Sequence, residues 1–352
     1  MIAPGATIGI VGGGQLGRML AMAAAQLGYK CHILDPHERP CAADVAAEFT
    51  RATYDDEAAL RAFADAVDVA TYEFENLPVE PLKLLGDKLR PSVRSLQIAQ
   101  DRAEEKRFIE TSAAAVAKWR TIASLDDVRT AVAELGAPVV LKTRRYGYDG
   151  KGQAWIRSAD EAGAAWDEIG REPAIAEQAV RFDAEFSVIV ARWSDGRHRF
   201  WDSPRNEHRE GILRTSTVPC AGIAAAQVEQ ARAAALGIAQ ALGHVGVLTV
   251  EYFATEDGPI VNEIAPRVHN SGHWTIEGAV TSQFEQHIRA ICDLPPGLTG
   301  LTRGGAVMEN LIGTEVERWS DLVARRGAHV HIYGKGEARP GRKMGHVTTV
   351  TR

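Results

Sequence analysis

Cysteine is scarce in this chain. Four occur in 352 residues, Cys31, Cys41, Cys220 and Cys292, and no two form a C-x-x-C pair. That spacing excludes a zinc ribbon and a thioredoxin-like centre, and it suits four reduced thiols of a cytosolic protein. A run of about 18 apolar residues is also missing, so no membrane span is expected. Residues 1–20 lack the basic start and long apolar core of a secretion signal. Positive charge is not in excess. Against 46 Asp and Glu stand 40 Lys and Arg, a net charge of −6. This balance argues against a general nucleic-acid or membrane-surface binder and leaves room for a local basic pocket. G-x-x-x-x-G-K-[ST] occurs nowhere, so no Walker A loop holds phosphate. Internal repeats are absent, and the alanine-rich patches read as helix.

What is present is an ordinary folded composition, 45% hydrophobic and 24% charged, over a length that suits two or three domains. TIGIV (7–11), CHILD (31–35) and VDVATYEFEN (67–76) read as three buried strands. Helical stretches at 14–28 and 55–66 separate them. The alternation predicts an α/β unit with a parallel sheet covered on both faces, whose ligands bind beyond the carboxyl ends of the strands. Gly12-x-Gly14-x-x-Gly17, Asp35 and Glu73–Asn76 fall at that edge. Taken alone, the glycine pattern with Asp35 18 residues on is a dinucleotide fingerprint. This unit closes near 90–108, where a charged helix begins.

A second α/β segment follows. PVVLKT (138–143) is a strand, 159–169 a helix, 174–180 and 184–193 strands, and 223–242 a helix ending at Gly243. Residues 247–264 read as a hairpin around Thr255–Gly258. The last fifty residues hold short strands and a basic turn, RPGRKMGH.

Three groups carry chemistry. Lys142 ends an apolar strand just before Gly147–Gly152, a turn whose backbone N–H groups can face an anion. A compact cation beside a glycine-rich flap suits phosphate, although such a loop alone is more often a plain surface turn. In the hairpin, a five-residue loop sets Glu251 opposite Glu263. Facing carboxylates repel, so either one takes up a proton or a divalent cation lies between them. With Asn262 they suit Mg²⁺ shared with substrate phosphates, and a solvated or lysine-paired carboxylate explains them equally well. After Glu263 come Arg267, His269, Asn270, Ser271 and His273. Arg267 can take a planar oxyanion bidentately, and His269 can orient it or move a proton. Glu177–Val180 can read an adenine edge and Glu185 can accept from ribose, although the pattern alone favours a solvated face for both.

Together these residues resemble the ATP-grasp ligases, and more narrowly the N5-carboxyaminoimidazole ribonucleotide synthetase family. The likeness runs over essentially the whole chain. It rests on GGGQLGRM (12–19), YEFENLP (72–78), QDR (100–102), EK (105–106), LKTRRYGYDGKGQ (141–153), HREGILR (208–214), NEIAPRVHNSGHWT (262–275) and GRKMGH (341–346). It implies an ATP-grasp fold, α+β in its centre, with a Rossmann-like domain at 1–100. An ATP-grasp domain at 101–296 would carry a lid near 113–180, and a small β-rich domain would span 297–352. It implies ATP and Mg²⁺ as cofactors. The reaction joins ATP, bicarbonate and 5-aminoimidazole ribonucleotide through carboxyphosphate, in a cytoplasmic homodimer that engages neither nucleic acid nor membrane.

Carried over by position, Arg102, Lys142, Gly147, Tyr148, Asp149, Gly150, Lys151, Gly152, Gln153, Glu177, Gln178, Ala179, Val180, Glu185, His208, Asn262 and Glu263 surround ATP. Glu251 and Glu263 hold the metal. Arg267, His269, Asn270, Lys142 and Asp149 carry the chemistry. Gly14, Gln15, Leu16, Glu73, Tyr148 and Arg267 line the ribonucleotide site, and Arg342 and Lys343 close on its phosphate. Asp35 becomes an ordinary strand-end acid. Two departures stand out: Tyr146 where the family often has glycine, and Arg205 where glutamate is common. The alternatives are a formate-using ATP-grasp transformylase, a nucleotide sensor without turnover, and an NAD(P)-dependent dehydrogenase, which leaves the hairpin and the flap without a task.

Overall fold

The computed structural model describes residues 1–112, 114–147 and 150–352. Four parallel strands open the chain: β1 (Thr7–Val11), β2 (Lys30–Asp35), β3 (Glu48–Arg51) and β4 (Val69–Tyr72), in the order β3-β2-β1-β4. The expected VDVATYEFEN strand is therefore the fourth along the chain. The sequence reading passed over β3, because EFTR at the sheet edge is only half-buried and has no apolar run to mark it. Helix Gln15–Gln26 follows β1 and packs Leu16, Met19, Leu20, Ala23 and Ala24 inward, at helical spacing.

A four-stranded antiparallel sheet comes next: β5 (Trp119–Ile122), β6 (Val139–Thr143), β7 (Gln153–Ile156) and β8 (Ala174–Gln178), ordered β5-β8-β6-β7. It has its own core, with Val128, Val132 and Leu135 of one helix and Trp166 of another against Leu141 and Ile156. Having separate cores lets this layer move as a unit against the rest.

The third sheet contains β9 (Ala184–Arg192), β10 (His198–Phe200), β11 (Arg205–Arg209), β12 (Ile212–Val218), β13 (Gly246–Thr255), β14 (Gly258–Ala265), β15 (Gly305–Ile312), β16 (Ala328–Ile332) and β17 (Lys343–Thr351). Its order is β14-β13-β9-β11-β12-β15-β17-β16, with β10 on β9. Antiparallel pairing of β12 with β15 carries the sheet from the central segment into the C-terminal one. The strands expected to be short there reach eight and nine residues. Helix Ala225–Leu242 covers one face through Val228, Ala231, Ala235, Ile238, Ala239 and Leu242, and ends at left-handed Gly243. Burying Ile238 and Leu242 contributes about 1.5–3 kcal/mol each.

The N-terminal sheet is fastened to this body. Ile2 N–H donates to Cys292 O at 2.8 Å, and Thr71 Oγ1 lies 2.8 Å from His287 Nε2. His287 Nδ1 in turn accepts from Val247 N–H at 3.1 Å, so β4 of the N-terminal sheet and β13 of the large sheet share one imidazole. The four cysteines are free thiols. No helix among the described residues is long and apolar enough to cross a membrane.

Candidate active site

The β13–β14 hairpin differs from expectation in its turn and agrees in its outcome. Thr255 pairs with Gly258, so the loop has only two residues, Glu256 and Asp257. A regular ladder from that turn sets Glu251 opposite Asn262 and puts Glu263 on the other face, because side chains alternate. A bulge between Glu251 and Tyr252 moves the register by one, from Tyr252↔Val261 to Glu251↔Glu263. The extra residue is Asn262, and the bulge brings both carboxylates to one face.

No metal is needed to separate them. His269 Nε2 stands 3.0 Å from Glu251 Oε1, and Arg102 Nη1 donates to Glu263 Oε2 at 3.0 Å. Burial pushes the Glu251 carboxyl up, but the His269 hydrogen bond and charge, with His208 and Lys343, outweigh it and hold the group well below its ordinary range. Each carboxylate of the pair thus has a partner within the chain, as the ion-paired alternative expects, with histidine and arginine in place of lysine. Among the described residues no group of three or more His, Cys, Asp or Glu gathers as a metal cage. Two carboxylates and the Asn262 amide fit Mg²⁺ nonetheless, since that ion keeps waters and substrate phosphates in its shell.

Beside the hairpin, Glu177 is buried between two lysines, at 2.5 Å from Lys142 Nζ and 2.6 Å from Lys106 Nζ. Burial raises its carboxyl, and Lys106 and Lys142 override that and bring it far below the carboxylate range. The solvated face expected for Glu177 is thus wrong, and so is that for Glu185, whose carboxylate meets His208 Nδ1 at 2.6 Å. Lys142 is held below its ordinary range by burial, against the pull of Glu177. It also reaches Asn262 Oδ1 at 3.4 Å. Of the amides expected to read an adenine edge, those of Gln178 and Ala179 are taken by Lys118 O and Pro138 O. Glu105 is almost fully buried and accepts from Ile264 N–H at 2.7 Å, and burial lifts its carboxyl to about 8.

The block after β14 is more tightly held than its sequence shows. Arg267 already has a bidentate carboxylate, Glu75, with Nη2 donating to Oε1 at 3.0 Å and Nε to Oε2. The fork foreseen for a planar oxyanion is therefore occupied. Asn270 and Asn310 exchange amide hydrogen bonds at 2.9 and 2.8 Å. Gln283 brackets His269, accepting from its N–H at 2.9 Å and donating to its carbonyl at 2.6 Å. Ser271 Oγ sits 2.8 Å from His269 Nδ1 and 3.0 Å from Ser187 Oγ, which accepts from Asn206. His273 is buried away from the site beside Phe284 and His346, and burial holds its pKa well below the ordinary value.

At the N-terminal sheet edge the helix start does meet an anion, but one from its own chain. Gly14 N–H donates to Glu73 Oε1 at 2.5 Å and Gly17 N–H to Oε2 at 2.8 Å. Gly13 N–H donates to Asp35 Oδ2 at 2.8 Å. Free amides were expected at this turn, and these three are occupied, so Gly14 has no N–H left for a phosphate. Asp35 is likewise no ordinary strand-end acid, since it also accepts from Tyr54 Oη and His37 N–H.

Most of the charged side chains described above line one cleft of about 1130 Å³. Gln15, Leu16 and Glu73 line one end, and Lys335, Arg339, Arg342 and Lys343 close over it. Arg102, Lys142, Glu177, Glu185, His208, Glu251, Asn262, Glu263, Arg267, His269 and Asn270 form the middle. Gly147, Gly150, Lys151 and Gln153 roof it; Tyr148 and Asp149 lie outside the described residues. Tyr146 adopts φ 62°, a left-handed conformation that explains a glycine preference there. Arg205 turns to Ala221 O at 3.2 Å, and its neighbour Asn206 is buried.

Sequence reasoning missed Glu75, Glu105, Lys106, Gln283 and Lys335 as site residues. Lys335 left the faintest trace, a lysine between two glycines. Burial brings it down to about 8, opposed by Cys41 and Glu73.

Comparison with known proteins follows the same lines. The profile of the ATP-grasp domain matches residues 107–284, and that of the ribonucleotide synthetase preATP-grasp domain matches residues 5–100. The phosphoribosylaminoimidazole carboxylase C-terminal domain matches residues 306–352. A Brucella melitensis protein named N5-carboxyaminoimidazole ribonucleotide synthase is 49% identical over 99% of this chain and 97% of its own. A crystal structure of an N5-carboxyaminoimidazole ribonucleotide synthetase in complex with ADP superposes with a TM-score of 0.96 at 43% identity, covering 100% of this chain and 94% of that one. The Aspergillus clavatus N5-carboxyaminoimidazole synthase, solved with ADP and 5-aminoimidazole ribonucleotide, gives 0.92 at 29% identity over 99% and 94%.

Proposed function

The chain belongs to the N5-carboxyaminoimidazole ribonucleotide synthase family, ATP-grasp ligases of purine biosynthesis, and we propose how its cleft divides that work among its residues. ATP lies between the β5–β8 sheet and the large sheet. Lys142 and the flap at Gly147–Gln153 meet its phosphates, and Val180, Glu185 and His208 meet the nucleoside. Arg102 and Asn262 stand beside the phosphates. Glu251 and Glu263 would hold Mg²⁺, which would supply charge neutralisation at the phosphates.

Bicarbonate is a poor electrophile. Transfer of the γ-phosphoryl group forms an O–P bond on bicarbonate, releases ADP, and turns one oxygen into a leaving group. Such a transfer asks for positioning and neutralised charge, which Lys142, Arg267, His269 and Asn270 provide. The amine of the ribonucleotide then attacks the carbonyl carbon and phosphate departs. Carboxyphosphate hydrolyses easily, so the flap, with Tyr148 and Asp149, keeps water out during that attack. Gln15, Leu16 and Glu73 take the ribose end, and Arg342 and Lys343 its phosphate. The three units bounded at 1–100, 101–296 and 297–352, working as a cytoplasmic homodimer, complete this reading.

The observation that carries it is the pairing of Glu251 with Glu263 across a bulge whose extra residue, Asn262, meets Lys142, inside a cleft that Gln15 and Leu16 of the N-terminal turn also line. The test is phosphate release from ATP. Full rates are expected only with bicarbonate and 5-aminoimidazole ribonucleotide together. Release independent of both acceptors overturns the reading.

A further inference from the structure

We propose that Glu75 is a positioning residue that aims Arg267 at the bicarbonate-derived anion, so that the N-terminal domain completes a site built on the large sheet. The proposal rests on the reading above that Arg267 holds that anion.

Glu75 lies just beyond β4 and Arg267 just beyond β14, 192 residues apart. The carboxylate takes the side of the guanidinium presented by Nε and Nη2, and Nη1 donates to Val268 O at 3.1 Å. A guanidinium has five N–H bonds. Among the described residues three are engaged, which leaves one on Nη1 and one on Nη2 for a ligand. The planar anion therefore meets Arg267 through these two and not through the fork that Glu75 fills.

Glu75 is itself held. Gln100 Nε2 donates to the carbonyls of Glu75 and Leu77, each at 2.6 Å, which pins the backbone on both sides of Asn76. Burial raises the Glu75 carboxyl, and Arg267 more than reverses that, so the pair is ionised. A bidentate pair fixes the plane of the guanidinium, so losing the Glu75 charge or its reach loosens the alignment in which the two remaining N–H groups meet bicarbonate.

The experiment varies bicarbonate at saturating ATP and ribonucleotide in Glu75→Gln, Glu75→Asp and Arg267→Lys, with urea unfolding to check that each variant folds. Glu75→Gln keeps the shape and loses the charge, and its KM for bicarbonate is expected to rise about tenfold while that for ATP stays within about twofold. Glu75→Asp keeps the charge with a shorter reach, and about a threefold rise is expected. A purely structural role lowers kcat or the folded fraction and leaves this selectivity unmoved. If Glu75→Gln keeps the parent KM for bicarbonate while Arg267→Lys raises it about tenfold, the positioning role is overturned and the Arg267 reading stands. An unchanged KM in Arg267→Lys overturns both. Should the Gln variant not fold, the Asp variant decides: a raised KM for bicarbonate alone supports the role, and a parental one overturns it.

Discussion

Two glycine-rich loops, Gly12–Gly17 and Gly147–Gly152, differ in what surrounds them. At Gly12–Gly17 neighbours press close, and Gly12 is left-handed as well, at φ 101°. A Cβ on Gly12 comes to 2.5 Å from Glu73 Cγ, one on Gly14 to 2.6 Å from Glu73 Oε1, and one on Gly13 runs into Pro40. Its amides are spent on Asp35 and Glu73, so the turn is locked. At Gly147–Gly152 two glycines need conformational freedom first, although a Cβ on Gly152 would also come to 2.4 Å from Thr143 Oγ1. Gly150 (φ 77°) and Gly152 (φ 68°) lie in left-handed space, and Gly150 is exposed. A sequence pattern reports where the backbone is unusual. Whether the unusual backbone is a fixed floor or a loose roof depends on what packs against it.

Acid is expected to unlock the first loop most strongly, without touching it. The loop's anchor Glu73 follows Thr71, which is bonded to His287. Burial lowers His287 to about 3 and His244 to about 4. His244 Nε2 meets Val247 O at 2.9 Å, and its Nδ1 meets Ser95 Oγ at 3.1 Å. An unfolded histidine titrates near 6.5. Below that pH the unfolded chain binds more protons than the folded one, so stability falls as pH falls. The loss is about 1.4 kcal/mol per pH unit for each histidine, until the folded values are reached. His273 and His346, also held low by burial, add to the slope. Urea midpoints from pH 7 down toward 4 are expected to drop steeply, and His287→Gln to flatten the curve. A flat parent profile contradicts this picture of the junction.

Next in size comes Glu73→Ala. It strands the buried amide of Gly17 and the half-buried one of Gly14, at about 1–3 kcal/mol each, for a loss of about 2–4 kcal/mol in urea unfolding. A loss below about 1 kcal/mol would mean that the turn holds itself.

How much of this was legible beforehand follows the range of each interaction. Short apolar runs marked β1, β2 and β6, and an alanine-rich run marked the helix ending at Gly243, because such patterns are local. The facing of Glu251 and Glu263 was also foreseen, but through a five-residue loop. The bulge at Asn262 that achieves it has no composition signal. Partners such as Glu75 with Arg267, or Glu177 with Lys106, come from segments far apart, and no spacing rule joins them. The glycine turn was read correctly as an anion site, and its anion was misjudged for the same reason: Glu73 arrives from another strand.

The open loop is expected to respond differently. Gly150→Ala forces an L-residue into left-handed space, at roughly 1–2 kcal/mol locally. Its Cβ stands 3.1 Å from Glu210 O. Because Gly150 is exposed and lies outside the sheets, urea stability is expected to change by less than about 1 kcal/mol. The roof over ATP closes less well, and kcat falls about threefold to tenfold. Stability loss larger than that of Glu73→Ala would erase the distinction between the loops.

The smallest effect lies at Tyr146, where left-handed backbone carries a bulky side chain. Its φ is 62° and its ring is 72% exposed, so no packing offsets the strain. Glycine there removes the strain but adds freedom to the unfolded chain, about 0.5–1 kcal/mol. The two terms nearly cancel. Asparagine accepts left-handed backbone better than tyrosine and does not bring glycine's freedom. Tyr146→Asn is therefore expected to gain about 0.5 kcal/mol and Tyr146→Gly close to nothing. Paired urea curves check the order of the two. A clear loss in the asparagine variant would show that the exposed tyrosine ring contributes a stabilising contact of its own.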